Sequence, residues 1–210
     1  MRRCVFLDRD GVINEEVEYL HEPERVALVA GAAEAIAALG RAGLAVVVVT
    51  NQAGIARGMY TERELAAVTA RIGELLAGAG ARLDGVYFCP HHPEAGRGPY
   101  RIACRCRKPG PAMLEQAAAE LGLDLAGSAI VGDKASDLEA GRAAGCAAVL
   151  VRTGYGAQEE ARLIADARAD LADAVFDSLA AAAPWLIARL GADAGADAGA
   201  GAGADAGADD

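Results

Sequence analysis

The chain has 210 residues, 53% of them hydrophobic, and a formal net charge of −10. That length and apolar content suffice for one ordinary core and one domain, and the acidic balance excludes nucleic acid as the main partner. The longest apolar run, "GLAVVVVT", is too short to span a bilayer, and "MRRCVFLDRDG" meets an aspartate before a signal-peptide core can form, so a soluble, cytoplasmic protein with no membrane partner is expected.

Short β-rich runs alternate with alanine-rich helical stretches. In chain order the pattern predicts a strand at "CVFLD", a helix over 31–42, a strand at "LAVVVVT", a helix over 62–78 and a strand at "GVYFC". A helix over 111–122, a strand at "AIVGD", a helix over 135–144 and a strand at "AAVLVRT" complete the series. Continuous apolar strands separated by helices indicate a parallel sheet covered on both faces, an open, Rossmann-like, three-layer α/β fold over residues 1–190. The remaining stretch, 191–210, carries five aspartates and no aromatic or branched apolar side chain, so a disordered solubilising tail is expected there.

In such folds ligands bind beyond the carboxyl ends of the strands. The residues just past those ends are Asp8 and Asp10, Thr50 and Asn51, Cys89 and His91, and Asp133 and Lys134. Four successive exits carry polar chemistry, which points to an enzyme.

"VFLDRDGVIN" drops from an apolar strand onto Asp8, Arg9, Asp10 and Gly11; alone it reads equally well as a structural turn. A strand-end carboxylate can attack phosphorus, and a second one two residues later can handle the leaving group's proton. Both would repel a phosphate dianion, so Mg²⁺ is expected, and Asp133 in "IVGDKASD" offers it a further carboxylate. Asp137 falls one helical turn later and can face the same way, either as a metal ligand or as support at a helix start. Thr50 and Asn51 bring hydroxyl and amide donors suited to phosphoryl oxygens, against the plain reading of "TNQAG" as a cap and turn.

Five cysteines and three histidines are scarce enough for their clustering to matter. Cys89-x-His91 and Cys104-x-Cys106 supply three thiolates and an imidazole, the donor set of a closed, structural Zn²⁺ site. Free loop cysteines or an oxidised pair are the competing reading, disfavoured by the odd cysteine count and the lack of a visible secretion signal. His92 is an alternative to His91, which the matching spacing favours. The loop "PHHPEAGRGPYRIA" has little apolar material of its own, so zinc would order it and fix Arg107 and Lys108, directly after the last ligand, where a phosphate arrives. Cys4 and Cys146 read as small buried residues, and His21, Trp185 and "PWLIARL" as packing or surface features.

Through "DRDG", a strand-end Thr, a Lys-Pro and "GDKxxxD" in that order, the sequence resembles the haloacid dehalogenase superfamily of phosphotransferases. Within it, "FLDRDGVIN", "TNQAGIARG", "CPHHP", "CRCRKPGPAM", "VGDKASD" and "LVRTGYG" resemble the D-glycero-D-manno-heptose 1,7-bisphosphate 7-phosphatases over residues 4–156. The resemblance implies an Mg²⁺-dependent phosphatase that removes the 7-phosphate of a phosphorylated heptose through an aspartyl phosphate, in the synthesis of ADP-heptose for the lipopolysaccharide core. It implies Asp8 as nucleophile and Asp10 as general acid, then base. Asp8, the main-chain carbonyl of Asp10, and Asp133 would hold Mg²⁺. Thr50, Asn51, Arg107 and Lys108 would grip the transferring phosphoryl group, and Lys134 would meet substrate phosphate. Glu16, Val17, Glu18 and Tyr19 would line the sugar pocket, with Gln52 and Ala53 beside them. The zinc ligands would be Cys89, His91, Cys104 and Cys106.

Between Asp8 and Thr50 there is room for only a short flap, so no large cap domain is expected. That suits a phosphorylated sugar of modest size better than a phosphomutase, which must shield its phosphoenzyme from water; a monomer is expected. The nearest rival, a histidinol-phosphate phosphatase, shares the zinc pattern and the catalytic residues. An Mg²⁺-binding module that accepts phosphate on Asp8 as a signal has no need of Asp10, and a zinc-organised interaction protein leaves the aspartates unexplained.

Overall fold

A computed structural model gives the fold; it describes residues 1–191, so apart from Gly191 the expected acidic tail lies outside the described residues. The strands are β1 (Cys4–Leu7), β2 (Ala45–Asn51), β3 (Gly85–Cys89), β4 (Ala129–Gly132), β5 (Ala147–Val151) and β6 (Ala174–Phe176). The helices are α1 (Ala32–Arg41), α2 (Ala53–Arg57), α3 (Glu62–Gly78), α4 (Ala112–Leu121), α5 (Ala135–Ala143), α6 (Gly156–Ala165) and α7 (Leu179–Gly191). All six strands are parallel, in the order β3-β2-β1-β4-β5-β6.

Successive strand side chains point to opposite faces, and here both faces are dry. Val5, Leu7, Val46, Val48, Val131 and Val149 pack with buried residues of α1, α3 and α7. Cys4, Phe6, Val47, Val49, Ile130 and Leu150 pack with those of α4, α5 and α6. This is why the strands read as continuous apolar runs and not as apolar-polar alternation. Cys4 and Cys146 are both buried, in the second of these layers.

Five strands and four helices stand where the sequence predicts them, within a few residues. Beyond these, the structure adds α2, α6, α7 and β6. The "PWLIARL" segment lies in α7, whose Leu179, Ala182, Ala183, Leu186 and Leu190 are buried while the helix packs along α1. The Trp185 ring meets that of Phe176 on β6 at 5.8 Å between centroids.

The chain runs outward from β1 through β2 to β3, then returns to the far side of β1 for β4. Strand order therefore reverses between β1 and β4, the place where open α/β sheets leave a crevice at their carboxyl ends. The Asp8 N–H donates to the Val131 carbonyl at 2.9 Å, tying the two exits together. Over this crevice lies a flap, residues 8–31, pinned by bridges of Asn14 to Asp10 and to Leu28. Among the described residues there is no cap domain, and no helix is long and apolar enough to cross a membrane.

Leu186 is fully buried between α7 and the sheet. Leu186→Ala is expected to lower the unfolding free energy by about 2–5 kcal/mol, read from urea titration of the protein.

Candidate active site

Four side chains converge at the β1/β4 switch point. Asp8 leaves β1, Asp133 leaves β4, Asp137 lies in the first turn of α5, and Lys108 arrives from the loop before α4. The Lys108 Nζ lies 2.9 Å from Asp8 Oδ1 and 2.7 Å from Asp137 Oδ1, and donates to the Val49 carbonyl at 2.6 Å. An ammonium has three donors, so all three are directed. Asp137 Oδ2 accepts the Lys134 main-chain N–H at 3.1 Å, which makes Asp137 the residue that holds Lys108 and the start of α5 in place.

Burial sets the electrostatics. It raises the Asp8 carboxyl, but Lys108 and Lys134 outweigh it and hold Asp8 below the usual carboxylate range. For Asp137 burial wins over Lys108, and the carboxyl is raised. Asp133 is pushed up to about 7, first by burial and then by the charge of Asp8. Burial also raises Glu16, whose Oε2 lies 3.3 Å from the Lys134 Nζ. Lys134 itself is raised, because Asp133, Asp8 and Glu16 outweigh its desolvation.

Asp10 occupies a different environment two residues from Asp8. Arg9 Nη2 donates to both of its oxygens at 2.8 Å, Asn14 Nδ2 to Oδ1 at 2.9 Å, and Gln52 Nε2 to Oδ2 at 3.0 Å. Gln52 is oriented in turn, donating to Thr50 Oγ1 at 2.9 Å and accepting the Tyr60 hydroxyl. The Tyr60 ring lies over Gly54, where a Cβ would collide with it, and stacks on His21 with 5.9 Å between centroids.

Most of these groups line a cavity of about 340 Å³, of whose wall Asp133, Asn14 and His21 are not part. Its walls include Asp8, Asp10, Thr50, Asn51, Gln52, Ala53, Lys108 and Lys134, together with the flap residues Glu16, Val17, Glu18 and Tyr19. Arg107 departs from the expected grouping. It is not part of the wall, and its Nη1 donates to the His91 carbonyl at 3.3 Å. The Asn51 amide, expected to face a phosphoryl group, is bonded to the main chain of Lys108. Sequence reasoning gave no role to Arg9, Tyr60 or Tyr155, and all three line the cavity. Arg9 carried a signal, since it stands between the two aspartates; Tyr60 carried none.

The donor set fits a divalent cation. Carboxylate oxygens of Asp8, Asp133 and Asp137 lie within 4.8 Å of one another, and Asp133 Oδ1 is buried without a hydrogen bond. The space around Asp133 is kept by glycine: at Gly11, with φ +82°, a Cβ would stand 2.5 Å from Asp133 Oδ2. Asp133 Oδ2 accepts the Tyr155 N–H at 2.9 Å, leaving Oδ1 for a cation.

Cys89, His91, Cys104 and Cys106 form a second cluster of the same compactness. Sulfur–sulfur distances are 3.2–3.5 Å, and His91 Nδ1 lies 3.7 Å from the Cys89 sulfur and 3.5 Å from that of Cys106. Ligands about 2.0–2.3 Å from a shared tetrahedral centre stand roughly 3.5–3.8 Å apart, so the cluster fits a zinc ion with little adjustment. His92 is turned away, its Nδ1 accepting the N–H groups of Glu94 and Ala95.

The fold and the site together define a hydrolase of the haloacid dehalogenase class, and a HAD-hydrolase-like family model matches residues 105–182. D-glycero-β-D-manno-heptose-1,7-bisphosphate 7-phosphatase of Yersinia pestis is 45% identical over 164 residues, covering 78% of this chain and 87% of that protein. The protein of the same name from Escherichia coli K12 is 44% identical over 78% of this chain and 86% of its own length. Among solved structures, D,D-heptose 1,7-bisphosphate phosphatase from B. bronchiseptica, complexed with magnesium and phosphate, superposes with a TM-score of 0.77 at 36% identity, covering 89% of this chain and 98% of that one. The corresponding enzyme of Burkholderia thailandensis gives 0.64 at 34% identity, over 87% and 97%. The chain belongs to the D-glycero-β-D-manno-heptose-1,7-bisphosphate 7-phosphatase family.

Two outcomes test the metal sites. With its carboxyl raised to about 7, Asp133 stabilises least above that pH, where the folded protein holds a charge that the unfolded chain solvates freely. At pH 8, Asp133→Asn is therefore expected to raise the Tm of metal-free protein and to abolish the rise in Tm that Mg²⁺ gives the parent chain, both read by calorimetry. Cys106→Ser is expected to lower the zinc content found by elemental analysis and to lower Tm.

Proposed function

We propose that this protein is an Mg²⁺-dependent phosphatase that removes the 7-phosphate of D-glycero-β-D-manno-heptose 1,7-bisphosphate, with residues 1–190 as the catalytic unit. One observation carries the reading: two carboxylates from a single strand exit face one cavity, each held by its own set of donors. Asp8 is ionised against a buried lysine, and Asp10 is held by neutral amides and an arginine.

Asp8 attacks phosphorus, forming an aspartyl phosphate as the bond from phosphorus to the sugar oxygen breaks. Asp10 gives its proton to that oxygen, and the heptose leaves. Water then attacks the phosphorus, Asp10 takes its proton, and Asp8 is regenerated with release of inorganic phosphate. Lys108 serves both halves. Once Asp8 becomes an acyl phosphate its carboxylate charge is gone, and the N–H that faced it turns to a phosphoryl oxygen. Asp8 and Asp133, with the Asp10 carbonyl, would hold Mg²⁺, which would supply charge neutralisation between the phosphate dianion and these carboxylates, while Asp137, the third carboxylate of the cluster, stays with Lys108. Thr50 donates to the phosphoryl group, and Lys134 to substrate phosphate. Glu16 and its flap neighbours accept sugar hydroxyls. The zinc cluster is structural, because its four ligands leave no open position.

Inorganic phosphate released from the β and α heptose bisphosphates and from histidinol phosphate, with Mg²⁺ present, tests the assignment. The β anomer is expected to give the highest kcat/KM; a preference for histidinol phosphate would reassign the enzyme. Asp10→Asn is expected to lower kcat by about 10²–10⁴-fold. Asp8→Asn is expected to abolish turnover, and turnover retained there removes covalent catalysis.

A further inference from the structure

Asn51 ends β2, one residue after Thr50, and its position at a strand exit suggests a donor to phosphate. Its amide is otherwise engaged. Oδ1 accepts the Lys108 main-chain N–H at 3.0 Å, and Nδ2 donates to the Lys108 carbonyl at 3.0 Å. A side chain thus pairs with a main chain 57 residues away through one donor and one acceptor, as a neighbouring strand would.

The segment so held is the one that most needs holding. Lys108 stands two residues after Cys106, in a loop whose one regular element is a single 3-10 turn at Gly98–Tyr100. Its ammonium must reach Asp8, Asp137 and the Val49 carbonyl together. A lysine stem is flexible, so three directed bonds at 2.6–2.9 Å require a fixed Cα from which to reach. Asn51 fixes that Cα against β2, the same strand that presents Val49.

We propose that the Asn51 side chain is a positioning residue, whose amide sets the main chain of Lys108 against β2 and does not itself hold the transferring phosphoryl group. The inference rests on the reading of Asp8 and Lys108 as the phosphoryl site. It also makes one amide the link by which order in the zinc loop reaches the reacting centre.

A double-mutant cycle separates the two roles, with calorimetric affinity for inorganic phosphate in the presence of Mg²⁺ as the readout. The variants are Asn51→Ala, Lys108→Met/Asp137→Asn, and the combination. The Lys108→Met/Asp137→Asn background removes the buried cation together with one of the carboxylates it neutralises, so that the fold keeps its charge balance. Asn51→Ala is expected to weaken phosphate binding roughly tenfold in the parent and to have no further effect in the lysine-free background, since coupled residues do not add. Its Mg²⁺-dependent rise in Tm is expected to persist. Equal losses in both backgrounds, or no loss in the parent, overturn the proposal. If Asn51→Ala does not fold, Asn51→Ser carries the same test, because it is neutral and too short to bond both the N–H and the carbonyl of Lys108. A parent protein that binds no phosphate defeats the underlying reading instead, and the inference falls with it.

Discussion

One buried ammonium makes this site possible. Asp8, Asp133 and Asp137 meet where the sheet reverses its strand order, and each is at most 6% exposed. Carboxylates gathered in that way repel one another and lose their hydration, so the fold tolerates them only with cations of comparable burial. Lys108 is the fully buried one, and its single charge is shared between Asp8 and Asp137. Asp133 is left with the half-exposed Lys134 at 3.6 Å and an oxygen that bonds to nothing in the protein. The charge that the chain leaves uncompensated is the one that a divalent ion fits.

The fold was largely legible because both faces of the sheet are dry. Runs such as "AVVVV" then admit no ambiguity of face, and alanine-rich stretches between them have little choice but to be crossovers. What escaped had weak signals for physical reasons. β6 is a three-residue edge strand, half-buried throughout, and α7 is apolar for most of its length, so periodicity has nothing to show. The site divided along similar lines. Residues at strand exits, from Asp8 to Lys134, are found by position in the sheet. Partners recruited across the chain are not: Tyr60 reaches Asp10 only through Gln52, and the distance from Asn51 to Lys108 in sequence hides their pairing.

The two metal clusters divide the labour between order and chemistry. Cys89, His91, Cys104 and Cys106, the cluster that fits zinc, close a loop that has hardly any core of its own, and the segment leaving that loop delivers Lys108. The guanidinium of Arg107 meanwhile turns back to the His91 carbonyl, stitching the cluster to its own exit. A cation of fixed position is worth more to phosphoryl chemistry than one on a wandering loop, because a transition state gains only from groups already in place.

The ring of Tyr60 over Gly54 carries an implication for how such a sequence can drift. Neither position is free to vary alone: a methyl group at 54 evicts the ring, and a smaller residue at 60 opens a hole beside the amide that steadies Asp10. The missing methyl and the ring thus form one unit of shape, and the wall beside Asp10 stands or falls with both together.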